Sequence, residues 1–395
     1  MTKVYSKNRK WIVLIGTAML TMAMIGIVNN CFSLYIIPVC DDLGLMRSQY
    51  TVAQTLIFGF AMLGSIISWR IYKHVSMINC LKACCIIAPL LYFSFSFSTS
   101  LAGFYIRAVI IGLCEPLVSS VPVMRFIKQW FPDNYATALG IAFLGSSLGG
   151  AAFSKLTDYL LLSFGWRVTY QVLAVIMAVM LLFASFVLVK EKEETIREEV
   201  TEAFLDRGRN VTPFESAILV LCTVIAVCGS GCLMYVTTPY YQDMGYSETF
   251  AANCASATFI LTCAGKPLQG RIIDKKGYST CLCLAHGGFL ISFTALCLFR
   301  NWIFVIPVLA GGLFANPYST VIGLVIPDYL YKKEDRGRAM GWFLAACNGG
   351  LAVSPTVSSL VYDFTGSYVS LFAVMIGLSV ITLVVFLRIL NKKVN

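Results

Sequence analysis

Charged residues are scarce in this chain of 395 residues, of which Asp, Glu, Lys and Arg together make up only 13%. An average soluble domain carries about 25%, so most classes of soluble protein are excluded. The chain has only two histidines, His74 and His286, and no Cys-x-x-Cys spacing, so we expect no metal site. It also lacks a phosphate-binding glycine loop, a dinucleotide fingerprint and a nucleophile–base pair. We therefore expect no cofactor, no ATP-driven pumping and no enzyme activity.

Apolar residues dominate the composition. They form 58% of the chain, with a mean hydropathy of +0.78, and they occur in runs long enough for the ~20 residues that cross a bilayer as a helix. We predict an all-α polytopic membrane protein with twelve transmembrane helices. The predicted spans are 11–39, 48–69, 79–98, 101–126, 135–162, 167–189, 212–240, 247–269, 279–299, 301–327, 337–362 and 367–390.

The basic residues are unevenly distributed around these spans. The formal net charge is +10, and most of the Lys and Arg residues fall in the termini and in the loops on the same side as the termini. Only Arg47, Arg167 and Arg300 fall in loops on the other side. The positive-inside rule therefore predicts a multi-pass protein of the cell membrane with both termini in the cytoplasm, and it explains the basic charge without a nucleic-acid partner.

The chain contains an internal repeat. Residues 31–168 align with residues 232–369 without a gap, and many identities fall at Gly and Pro. We predict two six-helix halves, at 1–189 and 211–395, joined by a charged cytoplasmic linker at 190–210. The matching pairs include Pro38 with Pro239, Asp42 with Asp243, Gly44 with Gly245, Gly64 with Gly265, Pro116 with Pro317, Gly149 with Gly350 and Gly165 with Gly366.

One segment resembles a family signature. The stretch 270–277, GRIIDKKG, is similar to Gly-x-x-x-Asp-Arg/Lys-x-Gly, the loop signature of the major facilitator transporters, and we place it in the loop between helices 8 and 9. The parallel six-plus-six repeat is also that family's architecture. The resemblance implies a secondary transporter whose halves rock around a central site. It also implies a gating role for Arg271 and Asp274, since the acid of this signature docks on a helix N-terminus.

The N-terminal copy of the signature departs from this pattern. At 69–76 both glycines are lost, and Lys73 stands where the acid is expected. Because a helix N-terminus repels a cation, we predict that Lys73 pairs with Glu334 or Asp335, just ahead of helix 11. The alternative is a degenerate loop in which the lysine is solvated.

Two further stretches resemble one branch of the family. Residues 138–150, ALGIAFLGSSLGG, and residues 362–368, YDFTGSY, are similar to segments of the monocarboxylate and oxalate/formate transporters. Small residues such as those at 138–150 allow helices to pack closely in a membrane. These stretches therefore identify a branch and a scaffold, and they do not identify a substrate.

Lys266 is the strongest candidate for a binding residue. Even the lower estimates put the cost of a charge at the bilayer centre at about 2.5–3.5 kcal/mol. Lys266 occupies the place where the branch resembled here carries an Arg that binds the substrate carboxylate, while Thr262 replaces that Arg's usual polar partner. An ammonium cannot make the bidentate contact of a guanidinium, but it keeps the charge complementarity. The alternative is a lysine that snorkels to the membrane surface.

Other ionisable residues also fall inside predicted spans. Glu115 lies mid-span before Pro116, and we predict that it carries the coupling proton or provides the counter-charge to Lys266. A structural, hydrogen-bonded glutamate is the alternative. Lys155 and Asp158, three residues apart, can meet on one face of helix 5 as an extracellular gate or as a surface pair.

Polar and aromatic residues of helices 1, 10 and 11 are predicted to complete the site, although aromatic side chains on membrane helices also serve packing. These residues are Asn29, Asn30, Tyr35, Phe314, Asn316, Tyr318 and Asn348.

The sequence therefore predicts a monomeric secondary transporter for a small organic anion, such as a monocarboxylate or dicarboxylate. Its expected partners are membrane lipid, the anionic substrate, and a coupling proton or counter-substrate. Two alternatives stay open. One is a major facilitator transporter of neutral or amphipathic solutes, including drug efflux, and the other is a non-transporting membrane sensor.

Overall fold

The computed structural model describes residues 8–191, 211–298 and 301–390. The chain divides into two compact units, Met1–Glu199 and Val200–Asn395. Most of the predicted linker, at 192–210, lies outside the described residues, so its cytoplasmic location stays a prediction.

Residues 8–191 of the N-terminal unit form six helices. The last two form one run, Tyr135–Leu188, which Gly165 divides because its backbone is non-helical there, with φ +77° and ψ 172°. The helices are α1 Arg9–Leu43, α2 Arg47–His74, α3 Met77–Phe97, α4 Leu101–Trp130, α5 at 135–164 and α6 at 166–188.

The described part of the C-terminal unit, 211–298 and 301–390, also forms six helices. Its first helix includes a π-helical stretch at Cys232–Val236. Its fourth helix includes a 3-10 stretch at Asn316–Ser319. The helices are α7 at 213–243, α8 Glu248–Lys276, α9 Tyr278–Leu298, α10 at 302–330, α11 Lys333–Thr365 and α12 Val369–Leu390.

The twelve helices correspond one to one with the twelve predicted spans. Within the described ranges, nine stretches are long and apolar enough to cross a membrane, one of them being the α5–α6 run. The remaining two helices, α8 and α11, have 29 and 33 residues but are less apolar overall. Both are long enough for a ~30 Å hydrocarbon core at 1.5 Å per residue.

The duplication is visible in the backbone. Four glycines adopt a left-handed conformation at matching ends of helices: Gly44 and Gly245 follow α1 and α7, while Gly165 and Gly366 follow α5 and α11. A side chain at such a φ is strained, which explains why both copies have glycine there. Gly277, with φ +88° after α8, has no such partner, because Ser76 occupies its place in the other copy.

The same helix pairs pack closely in both units. In the N-terminal unit, a Cβ atom on Gly26 of α1 would lie 2.8 Å from the Cα atom of Gly149 of α5. In the C-terminal unit, a Cβ atom on Gly350 of α11 would lie 2.8 Å from the carbonyl oxygen of Val224 of α7. Small residues therefore set the distance between the helices, as is common in membranes.

Two predicted helix boundaries are wrong. The signature at 270–277, predicted as a loop, is helical up to Lys276, and only Gly277 forms the turn. Glu334 and Asp335, predicted to precede helix 11, lie in the first turn of α11. Hydropathy marks only the apolar part of each helix. These two segments are polar and lie beyond that part, but their backbone is still helical.

Candidate substrate-binding site

Lys266 is buried within the C-terminal unit and exposes only 3% of its surface. The neighbouring Gly265 brings α8 against α10, because a Cβ atom there would collide with the carbonyl oxygen of Leu313 and lie 2.7 Å from Cγ of Pro317. One turn further along α8, the side-chain amide of Gln269 donates a hydrogen bond to the carbonyl oxygen of Phe314. These contacts position the part of α8 that carries Lys266.

The α-helical part of α10 is interrupted by a 3-10 stretch at Asn316–Ser319. This break holds buried polar atoms. The hydroxyl of Ser230 on α7 donates a 2.8 Å hydrogen bond to the carbonyl oxygen of Asn316, which ties the break to a neighbouring helix. The Asn316 side chain is 2% exposed, and among the described residues neither its nitrogen nor its oxygen has a hydrogen-bond partner. The buried hydroxyl of Tyr318 also has none in that part of the chain. Because buried polar groups are normally paired, these atoms are candidates for binding a polar ligand.

Glu115 forms the corresponding polar site of the N-terminal unit. It is 5% exposed and lies at the end of the regular part of α4, before the wider turn at Pro116–Ser120. The side-chain amide of Asn29 on α1 donates a 3.1 Å hydrogen bond to Oε1 of Glu115. The other carboxyl oxygen, Oε2, is buried and has no hydrogen-bond partner within the part of the chain that the structure describes. The carboxyl group is therefore oriented by Asn29 while one oxygen stays available.

The remaining predicted binding residues fall into different surroundings. Thr262 lies one turn from Lys266 on the same face of α8, but its hydroxyl donates to the carbonyl oxygen of Thr258 on its own helix. Asn30 donates to the carbonyl oxygen of Ser146 at 2.9 Å, which secures the α1–α5 contact.

Aromatic packing accounts for Tyr35. Its ring is fully buried and stacks on Tyr170 with 4.1 Å between centroids. Phe314 and Asn348, by contrast, are both partly exposed. The structure thus groups Lys266 with α10 residues in one unit and Glu115 with Asn29 in the other.

The predicted gating residues lie mostly at the surface. Lys73 is exposed, and its Nζ atom lies 4.5 Å from the centroid of the Trp69 ring. Glu334 and Asp335 are also exposed. Their predicted pairing with Lys73 would join the two units and stays a prediction.

Lys155 and Asp158 are both exposed on α5, and no ion pair joins these two described residues. In the signature, Asp274 is partly buried and Arg271 exposed. Their gating roles stay predictions.

Gln269 was not predicted from the sequence. It is fully buried, and its side-chain nitrogen donates a hydrogen bond to α10. Its side-chain oxygen finds no hydrogen-bond partner among the residues described. The available signal was a polar side chain three residues after Lys266 inside a membrane span, where polar groups are costly. Its partner, a backbone carbonyl 45 residues away, could not be read from the sequence.

The comparisons with known proteins agree with this architecture. An uncharacterized MFS-type transporter of Bacillus subtilis (strain 168), YcxA, is 26% identical over 97% of this chain and 96% of its own length. Monocarboxylate transporter 10 of Rattus norvegicus is 23% identical over 70% of this chain and 57% of its own. A crystal structure of a double-tryptophan variant of XylE has the same fold, with a TM-score of 0.77 at 12% identity, covering 97% of both chains.

A family model extends over both halves. The model described as Major Facilitator Superfamily matches residues 18–218 and again residues 219–394. The relatives that the chain resembles are named as transporters, and none of them is named as an enzyme. The chain is therefore a multi-pass membrane protein that belongs to the Major Facilitator Superfamily of transporters.

Proposed function

We propose that this protein is a secondary transporter that moves a small organic anion, a monocarboxylate or dicarboxylate, by alternating access. The observation that carries the proposal is Lys266, a cation with 3% of its surface exposed inside a membrane helix. A snorkelling lysine would instead place its ammonium group at the membrane surface.

The internal repeat supports a functional reason for this charge. The residue that matches Lys266 in the N-terminal copy is Ser65, which is fully buried and donates a 2.7 Å hydrogen bond to the carbonyl oxygen of Ala61. The preceding glycine packs on a proline in both copies, Gly64 on Pro116 and Gly265 on Pro317. The same glycine–proline contact between helices therefore forms when the next residue is a small neutral serine instead of a lysine. Since a buried charge costs about 2.5–3.5 kcal/mol or more, its presence in one copy only favours a role in binding.

An ammonium such as that of Lys266 attracts a carboxylate as a point charge. The buried amide of Asn316 lies in the same unit and offers both a donor and an acceptor, whereas the ring of Tyr318 packs against His286 and Phe289 of α9. Monocarboxylate transporter 10, one of the relatives, is named for a cargo of this class.

We propose further that Glu115 carries the coupling proton or balances the charge of the substrate. Its Oε1 atom is held by Asn29, and none of the described residues hydrogen-bonds its buried Oε2 atom. Membrane-embedded carboxyl groups serve as proton carriers in other pumps and transporters. If Glu115 carries a proton, the transport mode is proton symport. If Glu115 instead keeps its charge and balances the substrate, the transport mode is anion exchange.

The test is uptake by proteoliposomes of a panel of radiolabelled monocarboxylates and dicarboxylates together with their neutral amides. The variant Lys266→Ser introduces the residue of the other copy, and we expect it to lower kcat/KM for the carboxylate by roughly 30-fold or more, equivalent to about 2 kcal/mol. Lys266→Arg keeps the charge and should retain part of the activity.

Ser65→Ala is the matched control, because it changes the equivalent position of the N-terminal copy without touching a charge. Monodispersity in detergent and the unfolding temperature establish that each variant is folded. Carboxylate uptake by folded Lys266→Ser at the wild-type rate would contradict the proposal, as would equal uptake of the neutral amides by the wild type.

A further inference from the structure

The two copies of the repeat differ at one end of their first helix. In the N-terminal unit, Asp42 at the end of α1 accepts hydrogen bonds at Oδ2 from Arg167 at 2.5 Å and from the indole nitrogen of Trp166 at 3.1 Å. The guanidinium carbon of Arg167 also lies 4.2 Å from the centroid of the Trp166 ring. A cation is thus held between a carboxylate and an aromatic ring.

The C-terminal unit keeps the carboxylate but replaces its partners. Asp243 matches Asp42, while Ser367 and Tyr368 stand where the other copy has Trp166 and Arg167. Asp243 is exposed, and the described residues provide it with no hydrogen bond or ion pair. Within the described residues, a cation therefore pairs with the aspartate of the N-terminal copy and none pairs with that of the C-terminal copy.

A cavity of about 260 Å³ lies at this place in the C-terminal unit. Three tyrosines and the carboxylate dominate its walls. The lining residues include Tyr240, Asp243, Met244, Tyr362, Ser367 and Tyr368.

The aromatic walls are held in place by packing. Tyr362 and Tyr368 lie with 4.6 Å between ring centroids, and Tyr240 meets Tyr368 edge to face at 6.5 Å. The Tyr240 hydroxyl donates a 2.6 Å hydrogen bond to the carbonyl oxygen of Leu296 on α9. The rings are therefore oriented before any ligand arrives.

The turn that carries Ser367 is also well defined. It begins at Gly366 with φ +68°. The hydroxyl of Ser367 accepts a 3.2 Å hydrogen bond from the backbone nitrogen of Val369, and the hydroxyl of Thr365 accepts one from the backbone nitrogen of Ser367 at 3.4 Å. The wall opposite α7 is thus built by a structured turn.

We propose that this cavity binds a small organic cation, a quaternary or alkylated ammonium group, which takes the place that Arg167 occupies in the other copy. The carboxylate of Asp243 balances the positive charge, and the faces of the tyrosine rings attract it by cation–π interaction. The volume lies just below the usual range for drug-sized ligands, which selects a compact ligand. The site lies wholly within the C-terminal unit, and its proposed ligand has the opposite charge to the proposed cargo.

The test measures choline binding to the purified full-length protein in detergent by isothermal titration calorimetry at constant ionic strength. The comparison ligand is 3,3-dimethyl-1-butanol, a neutral isostere of choline that has the same shape without the charge. We expect choline to bind at least about tenfold more tightly than the isostere, because both the ionic and the cation–π attractions need the charge.

Two variants locate the site. Asp243→Asn removes the carboxylate and should weaken choline binding by about tenfold or more, and the side chain that it changes is exposed. Tyr368→Arg introduces the residue of the other copy, whose own cation should fill the cavity and abolish binding. Asp42→Asn, at the matching position of the N-terminal unit, is the control and should bind choline as the wild type does.

Equal binding of choline and its isostere, or no choline binding above a sodium chloride control, would overturn the proposal. So would unchanged affinity in both Asp243→Asn and Tyr368→Arg. Lys266→Ser should bind choline normally, so that a failure of the carboxylate proposal and a failure of this one are distinguished.

Discussion

At the scale of single residues, the two copies of the repeat place different chemistry at equivalent positions. Lys266 matches Ser65, and Asn316 matches Glu115, so each unit carries one ionisable residue where the other carries a neutral polar one. All four side chains are buried. A duplicated backbone can therefore hold a cation in one unit and a carboxyl group in the other.

The proposed proton role of Glu115 gives a prediction for Glu115→Gln. The amide keeps the shape of the side chain and can still accept the hydrogen bond from Asn29, but it cannot release or bind a proton near neutral pH. We expect that an inward proton gradient no longer accelerates carboxylate uptake by proteoliposomes, while exchange of labelled for unlabelled substrate without a gradient continues.

Ser119→Ala serves as the control, because the hydroxyl of this neighbour on α4 donates to the backbone oxygen of Glu115 and lies 3.3 Å from the hydroxyl of Ser120, away from the Glu115 carboxyl group. If the proton gradient accelerates uptake by Glu115→Gln as strongly as by the wild type, Glu115 is not the proton carrier.

At the scale of helices, glycines determine which pairs pack closely. On α5, a Cβ atom added to Gly145 would collide with the carbonyl oxygen of Ala18 and lie 2.6 Å from Oγ1 of Thr21, both on α1. The hydroxyl of Thr21 in turn donates a 2.7 Å hydrogen bond to the carbonyl oxygen of Ala142 on α5. The α1–α5 contact therefore has no space for another methyl group.

We predict that Gly145→Ala lowers the free energy of unfolding by about 1–3 kcal/mol, the usual cost of overpacking. Gly59→Ala on α2 is the matched control, because a Cβ atom there would have nothing within 4 Å and alanine favours a helix. Unfolding of both variants in detergent, followed by circular dichroism, makes the comparison. Equal stability of Gly145→Ala and Gly59→Ala would mean that α1 and α5 do not pack this closely.

At the scale of the whole molecule, the duplication and the charge distribution together define a topology. Each unit contributes six helices within the described residues. Because six is an even number, we expect both ends of each unit to lie on the same side of the membrane. Basic residues concentrate in the loops on that side, and such loops stay in the cytoplasm.

We therefore predict that both termini are cytoplasmic. A green fluorescent protein fused after Asn395 should fluoresce, and an alkaline phosphatase fused there should be inactive. A phosphatase fused after Gly165, in the turn between α5 and α6, should be active because that turn lies on the opposite side. The reverse pattern of activities would show that the orientation is inverted.

The sequence by itself determined the fold class, the twelve helices, the duplication and the family, because apolar runs, repeated glycines and basic loops are local patterns that need no knowledge of contacts. It also marked Lys266 and Glu115, since an ionisable residue inside an apolar run is visible in one dimension. It placed helix ends less well at α8 and α11, where a polar segment continues as helix.

Only the tertiary structure decided which side chains meet. The contact of Asn29 with Glu115, the bond from Gln269 to α10, and the pairing of Asp42 with Arg167 all depend on how each helix is rotated about its axis and at what depth it lies against its neighbours. Hydropathy leaves that rotation undetermined, because inside a bilayer both the lipid-facing and the protein-facing sides of a helix are apolar.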